Sequence, residues 1–500
     1  MALFADSYPR KRARTADDRG ERTARPAVGA AVFFAFCIAT LGGSSRFDML
    51  QLVILLPLAC LAAGFGLWRA WHADWSALRV PLWLLAAWAI LTLLQLVPLP
   101  PDLWRSLAGR EPMAAVADAI GDESWRPLSM VPWRTEHALW ALSIPLAALF
   151  LFVAMRKSAV PVAIQVVIAV ILASALLGIV QITLGPDSML YVYAVTNRGA
   201  AVGLLANANH AAMLSAIGMI VIAATAALMP RSGPFWHMPV LGSGFFLLLT
   251  FQLINGSRAG LGLAVIALFA SALIALLARS YAPARKGDRA ERQGQQLPGG
   301  WKTALPLLGG GVAIAALFLS ADRIAGVDEL LMKQTFDDMR VEILPVLWDM
   351  AGTYLPWGSG MGSFEIVYQI HEPSSLLMPD YINQAHNDLL QIVIEGGLPA
   401  LAIALLALHW LGWTILRLVR GGPRARILAI AGAGVVVSLI VGSAVDYPLR
   451  APLFQFLAVW MIATFAVVSR SAIGRAGTPD QSFPPAAKGD KARRELEGIE

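Results

Sequence analysis

Charge is scarce in this sequence. Only 14% of its 500 residues are Asp, Glu, Lys or Arg, against roughly 25% in soluble domains, which excludes an ordinary soluble enzyme. Cysteine is scarcer still: Cys37 and Cys60 are the two, and both lie inside apolar runs. Neither a disulfide framework nor a cysteine metal site can be built from them. His72, His137, His237, His371 and His409 are scattered, without the H-E-x-x-H or H-x-x-E-H spacing of a zinc site. No metal and no cofactor are therefore expected. The pair Asp337-Asp338 reads as a solvated acidic face rather than a metal-binding pair. A small-residue cleavage site is missing after the first apolar run, whose basic flank is too long for a cleaved signal peptide. There is no short internal repeat.

What is abundant is apolar length. The chain is 57% hydrophobic with 16 Trp and 20 Phe, and its mean hydropathy is +0.63. A membrane-spanning helix needs about 20 mostly apolar residues. Such runs lie near 27–43, 49–68, 80–98, 137–155, 159–183 and 206–229. Others lie near 239–256, 259–278, 303–320, 397–416, 427–445 and 451–469. The expected fold is an all-α polytopic membrane protein of about twelve spans with both termini on one side. If the spans alternate, about 28 of the 39 Lys and Arg fall on that side, which the positive-inside rule makes cytoplasmic. The net charge of +6 is thus topogenic; it can touch anionic lipid and needs no nucleic acid.

Five segments follow. Residues 1–25 read as a disordered basic cytoplasmic tail, 26–320 as transmembrane helices 1–9, and 321–395 as a loop domain on the outer face. Residues 396–470 read as helices 10–12, and 471–500 as a second disordered cytoplasmic tail. A shorter outer loop, 99–136, holds an amphipathic stretch around Met113–Ile120. The 321–395 loop carries Asp322, Asp328, Glu329, Asp337, Asp338, Glu342, Asp349, Glu365 and Glu372. Loops of that length are usually functional, so chemistry is expected there.

Within that loop, His386-Asn387-Asp388-Leu389-Leu390 opens a stretch with Leu389, Leu390, Val393 and Ile394 at helical spacing. A helix is expected to start here, with His386 in its first turn, and to stop or kink at Gly396-Gly397. The helix dipole favours a neutral imidazole at that position, and a neutral imidazole accepts a proton. A capping or interfacial His is the alternative. Arg258, in Asn255-Gly256-Ser257-Arg258-Ala259-Gly260, lies between two spans at the outer boundary. It is either a snorkelling helix-end Arg or a planar fork for phosphate oxygens. Arg198 and Arg340 fall on the same face. Asn207-Ala208-Asn209-His210 is polar for its depth, serving either substrate contact or interhelical bonding. Pro356–Phe364 mimics a nucleotide loop but lacks a βαβ unit and reads as a tight turn. Asp446 and Arg450 bracket a short outer turn where they can pair with each other.

These motifs, in their order and on one side of the membrane, resemble the O-antigen ligase and polymerase family over roughly residues 190–455. The His386–Gly396 run, Ser257-Arg258 with Gly260, and Asn207–His210 are each similar to a family element. Ala259 stands where the family often has Gly. The resemblance implies a GT-C-like fold with one large periplasmic loop in the bacterial inner membrane. It implies a metal-independent glycosyltransferase with a glycan on undecaprenyl diphosphate as donor. The acceptor would be a lipid A-core sugar in a ligase, another lipid-linked repeat unit in an O-antigen or exopolysaccharide polymerase, and a protein hydroxyl in related transferases. His386 and Arg258 would be catalytic, and Arg258, Arg198 and Arg340 would bind the diphosphate. Asn387, Asn209, His210 and Asp446 would be candidate substrate contacts. A transporter is disfavoured because the spans are nearly free of ionisable groups.

Overall fold

A computed structural model describes residues 14–229, 236–278, 334–377 and 382–476. The expected span at 303–320, the C-terminal tail beyond 476, Asp322, Asp328, Glu329 and the side chains of Asp337 and Asp338 lie outside the described residues. The chain is an all-α polytopic membrane protein. Helix α1 (Arg14–Leu41) begins within the stretch read as a tail, where Ala, Arg and Glu are good helix formers. It is followed by α2 (Gln51–Ala70), α3 (Arg79–Leu94), α4 (Pro101–Arg105) and α5 (Glu111–Ile120). Next come α6 (Pro132–Ala141), α7 (Ser143–Ala154), α8 (Ala159–Leu184), α9 (Ala208–Leu228), α10 (His237–Ile254) and α11 (Arg258–Ala278). Beyond position 333 lie α12 (Gln334–Thr353), α13 (Phe364–His371), α14 (Asp388–Val419), α15 (Pro423–Val445) and α16 (Pro452–Ala476).

Among the described residues, 10 helical stretches are long and apolar enough to cross a membrane, with α6–α7 forming one of them. Helix α3, expected as a span over 80–98, is shorter at 16 residues. Helix α9 packs against α8, α10, α11 and α15 and is the most buried of the spans. At Gly260 a Cβ would stand 2.6 Å from that of Ala212, so glycine lets α11 lie close against α9.

A separate small core holds the loop region together. Ile343, Leu347 and Met350 of α12 pack with Phe364, Val367 and Tyr368 of α13 and with Leu390 and Ile394 of α14. Helix α14 is bent at Gly397, with φ of +61° and ψ of −155°. The expected kink is therefore present, and its hydrogen bonds explain how it is tolerated. Pro399 has no N–H to offer Glu395 O; Gly360 N and Gln95 Nε2 donate to that carbonyl instead, each at 2.9 Å. Ser359 N donates to Ile394 O at 2.8 Å, and Leu398 N turns to Pro356 O at 2.9 Å. The Pro356–Phe364 stretch is the expected tight turn, laced onto the bend.

Candidate active site

The first half of α14, the start of α9, the start of α11 and the α15–α16 turn meet at Asp446, whose side chain is 2% exposed. Asn209 Nδ2 donates to Asp446 Oδ2 at 2.7 Å and Asn207 Nδ2 at 3.2 Å. Arg340 Nη2, from α12, reaches the same oxygen at 3.4 Å. The other oxygen, Oδ1, accepts from Tyr447 N at 3.0 Å and faces His210 Nε2 and His386 Nδ1, each at 3.4 Å. Neither imidazole nitrogen is aligned for a hydrogen bond to it. Burial works to raise the Asp446 carboxyl, but His210 and then His386 outweigh it and hold it well below the usual carboxylate range.

The Tyr447 ring stands edge-on to both histidines, 4.7 Å from the His386 centroid and 5.1 Å from that of His210. Burial, and next the Asp446 charge, push its phenol up, so it remains a protonated spacer between the rings. Local sequence sets each partner. Asn207 caps α9, its Oδ1 accepting from Asn209 N at 2.8 Å, which leaves its amide for Asp446. Ser257 Oγ donates to Asn209 Oδ1 at 2.6 Å and accepts from Gly260 N at 2.9 Å. That contact seats the first turn of α11, and with it Arg258, beside the cluster.

His386 is not in the first turn of α14 as expected. It precedes the N-cap and has φ of +48°, a left-handed conformation that costs a non-glycine residue of order 1–3 kcal/mol. Asn387 is the cap, its Oδ1 accepting from Leu390 N at 3.0 Å. Nδ1 is the ring nitrogen that faces Asp446. Arg198 stands apart: it is exposed, donates to Pro186 O at 3.1 Å and lies 5.7 Å from the Tyr191 ring.

Asp446 and Arg450 do not pair with each other. Arg450 Nε donates to Asp388 Oδ1 and Nη2 to Glu395 Oε2, each at 3.1 Å, because the short helical turn Pro448–Arg450 swings it toward α14. Gln391 Nε2 donates to Glu395 Oε1 at 3.0 Å, and its Oε1 accepts from Ala385 N at 2.9 Å. Asp388, Gln391 and Glu395 thus share one buried face of α14 and fix the segment carrying His386. Sequence reasoning missed Tyr447, although its neighbour Asp446 was singled out; its ring lies against both histidines. Among the described residues no three His, Cys, Asp or Glu side chains are grouped as metal ligands.

A search of curated proteins finds no match. The segment 243–405 matches the family model described as O-antigen ligase; it includes Arg258, Arg340, His386 and the Gly397 bend, while Asn209, His210 and Asp446 lie outside it. The chain is thus a multi-pass membrane protein in which the segment 243–405 is similar to the O-antigen ligase family.

Proposed function

We propose that the protein moves a glycan from undecaprenyl diphosphate to a lipid A-core sugar on the periplasmic face of the inner membrane, with both termini cytoplasmic. The acceptor hydroxyl oxygen attacks the anomeric carbon, and its proton passes to His386 Nε2. The bond from that carbon to the diphosphate oxygen breaks, and its electron pair leaves on undecaprenyl diphosphate. Arg258 and Arg340 stabilise the charge that builds on the leaving group, which favours the transition state over the ground state. Two guanidiniums do this without a divalent ion.

The observation that carries this reading is the His386 Nδ1–Asp446 contact of 3.4 Å beside Arg340. A buried carboxylate at this distance stabilises the imidazolium formed on transfer.

The test is a deletion strain complemented with wild type or His386→Ala, followed by profiles of lipopolysaccharide and exopolysaccharide. A stably inserted His386→Ala protein is expected to lose about 10²–10⁴-fold in transfer, and Arg258→Lys to lose most of it through the missing bidentate contact. Loss of long glycan from lipid A-core with build-up of lipid-linked polymer marks a ligase. Build-up of single repeat units marks a polymerase instead. Normal transfer by His386→Ala would overturn the base assignment.

A further inference from the structure

Beside the Asp446 cluster lies a ledge that the transfer chemistry does not use. It is built by the loop between α1 and α2 and by the start of α6. Phe47 and Trp133 meet edge to face with centroids 5.8 Å apart, and His137 stands 6.3 Å from Phe47. Trp133 is 51% exposed. The Arg134 guanidinium lies 3.0 Å from the centroid of Phe47, and its Nη2 reaches Glu365 Oε2 at 2.6 Å. Arg46 grips Asp48 through two hydrogen bonds of 2.9 and 2.7 Å. The result is a cluster of edge-to-face rings around the buried Arg134–Glu365 pair, with Trp133 exposed and the Asp48 carboxylate held at its rim.

The ledge is tied to the cluster. Ala206 N, next to the Asn207 cap, donates to Gly43 O at 3.0 Å, and Leu453 N donates to Gly42 O at 2.8 Å. At its other end the aromatic stripe runs down α6, since Trp133, His137 and Trp140 recur at helical spacing. Trp140 lines an open apolar groove of about 330 Å³, with Leu139, Ser143 and Leu146 on one wall and Cys60 and Ala63 of α2 on the other.

An aromatic cluster with a carboxylate at its rim, above an apolar groove, fits an amphiphile with an uncharged sugar head. Rings stack on the C–H faces of sugars, and carboxylates accept hydroxyl hydrogens. Asp48, Glu365 and the exposed Glu136 offset Arg46 and Arg134, which makes the ledge a poor host for a diphosphate. Arg258 is reached from Asp446 by a different branch, through Asn209 and Ser257. Two glycolipids must meet at His386, and each needs its own approach. We propose that the Phe47–Trp133–His137 ledge seats the sugars of the acceptor glycolipid and the α2–α6–α7 groove its apolar chain. This rests on the glycosyl-transfer reading above.

The test places p-benzoylphenylalanine at Glu136, exposed one helical turn from Trp133, in the full-length protein in cells of the producing bacterium. Irradiation followed by mass spectrometry identifies what is captured from the endogenous glycolipids. The expected adduct is a glycolipid that persists in a strain unable to make the polyprenyl-linked donor. It should fall about fivefold in Phe47→Ala or Trp133→Ala, the size of one lost stacking contact, and return in Trp133→Phe. Capture of phospholipid alone would reduce the ledge to a membrane-interface aromatic belt and overturn the proposal. Disappearance with the donor would overturn the acceptor assignment. Capture does not require transfer, so an adduct retained in His386→Ala separates failure of this subsite from failure of the transfer reading.

Discussion

Asp446 meets two imidazoles, two amides and a guanidinium. Replacing its charge while keeping its shape therefore separates electrostatics from packing. Asp446→Asn is expected to leave His386 without the carboxylate that orients it, lowering kcat by about 10²-fold or more with little change in KM. The same variant reports on stability. The folded carboxyl sits below its ordinary 3.8, so its contribution is complete above the unfolded value and is lost as pH falls through the folded one. Thermal melts in detergent should show wild type above Asp446→Asn at neutral pH, with the two converging only well below pH 3.8. Melts that stay parallel through the acid range would show that the carboxylate gains nothing from its neighbours. At this scale the sequence was readable as an inventory: His386, Arg258, Asn209, His210 and Asp446 each stood out as polar groups at the ends of apolar runs. Their pairing was not readable. Asp446 and Arg450 bracket one turn and invite a mutual ion pair, yet each is claimed by residues from other helices.

Helix α14 shows what pattern and chemistry do together along one element. The apolar spacing from Leu389 and the Gly396-Gly397 pair were enough to place a helix start and a bend. What the spacing did not contain was the conformation of His386, because the N-cap Asn387 sits one residue later than a periodicity reading places the start. Nor did it reveal that the Pro356–Phe364 turn exists to satisfy carbonyls released at the bend. The bend itself is testable. A Cβ at Gly397 would run into Pro356 O, and the residue is at φ of +61°. Gly412, in the same helix, has nothing nearby. Gly397→Ala is expected to be strongly destabilised and to lose activity. Gly412→Ala should gain up to about 1 kcal/mol from reduced backbone freedom. Equal melting temperatures for the two variants would mean that the kink is not held by that turn.

Across the whole molecule, the apolar runs made the membrane class legible, since span length depends only on bilayer thickness and helix rise. The assembly of the site was hidden because its contacts join residues far apart in the chain: Asn209 and Asp446 are separated by 237 positions and Gln95 and Glu395 by 300. Arg450 is the most consequential of these ties. It joins the α15–α16 turn to the half-helix below His386 through Asp388 and Glu395, both almost fully buried. Removing it strands two carboxylates in a low-dielectric interior. Breaking a buried pair costs about 3–5 kcal/mol, more than the intact pair contributes, because the loss is mainly uncompensated charge. Arg450→Ala should therefore lower the melting temperature and the amount of inserted protein sharply. Adding Asp388→Asn and Glu395→Gln should recover most of that loss, since the amides keep the shape and remove the stranded charge. Activity should recover less than stability does, because the rigid link that positions the His386 segment is still missing. A triple variant no more stable than Arg450→Ala would place the cost in lost packing around the arginine stem instead.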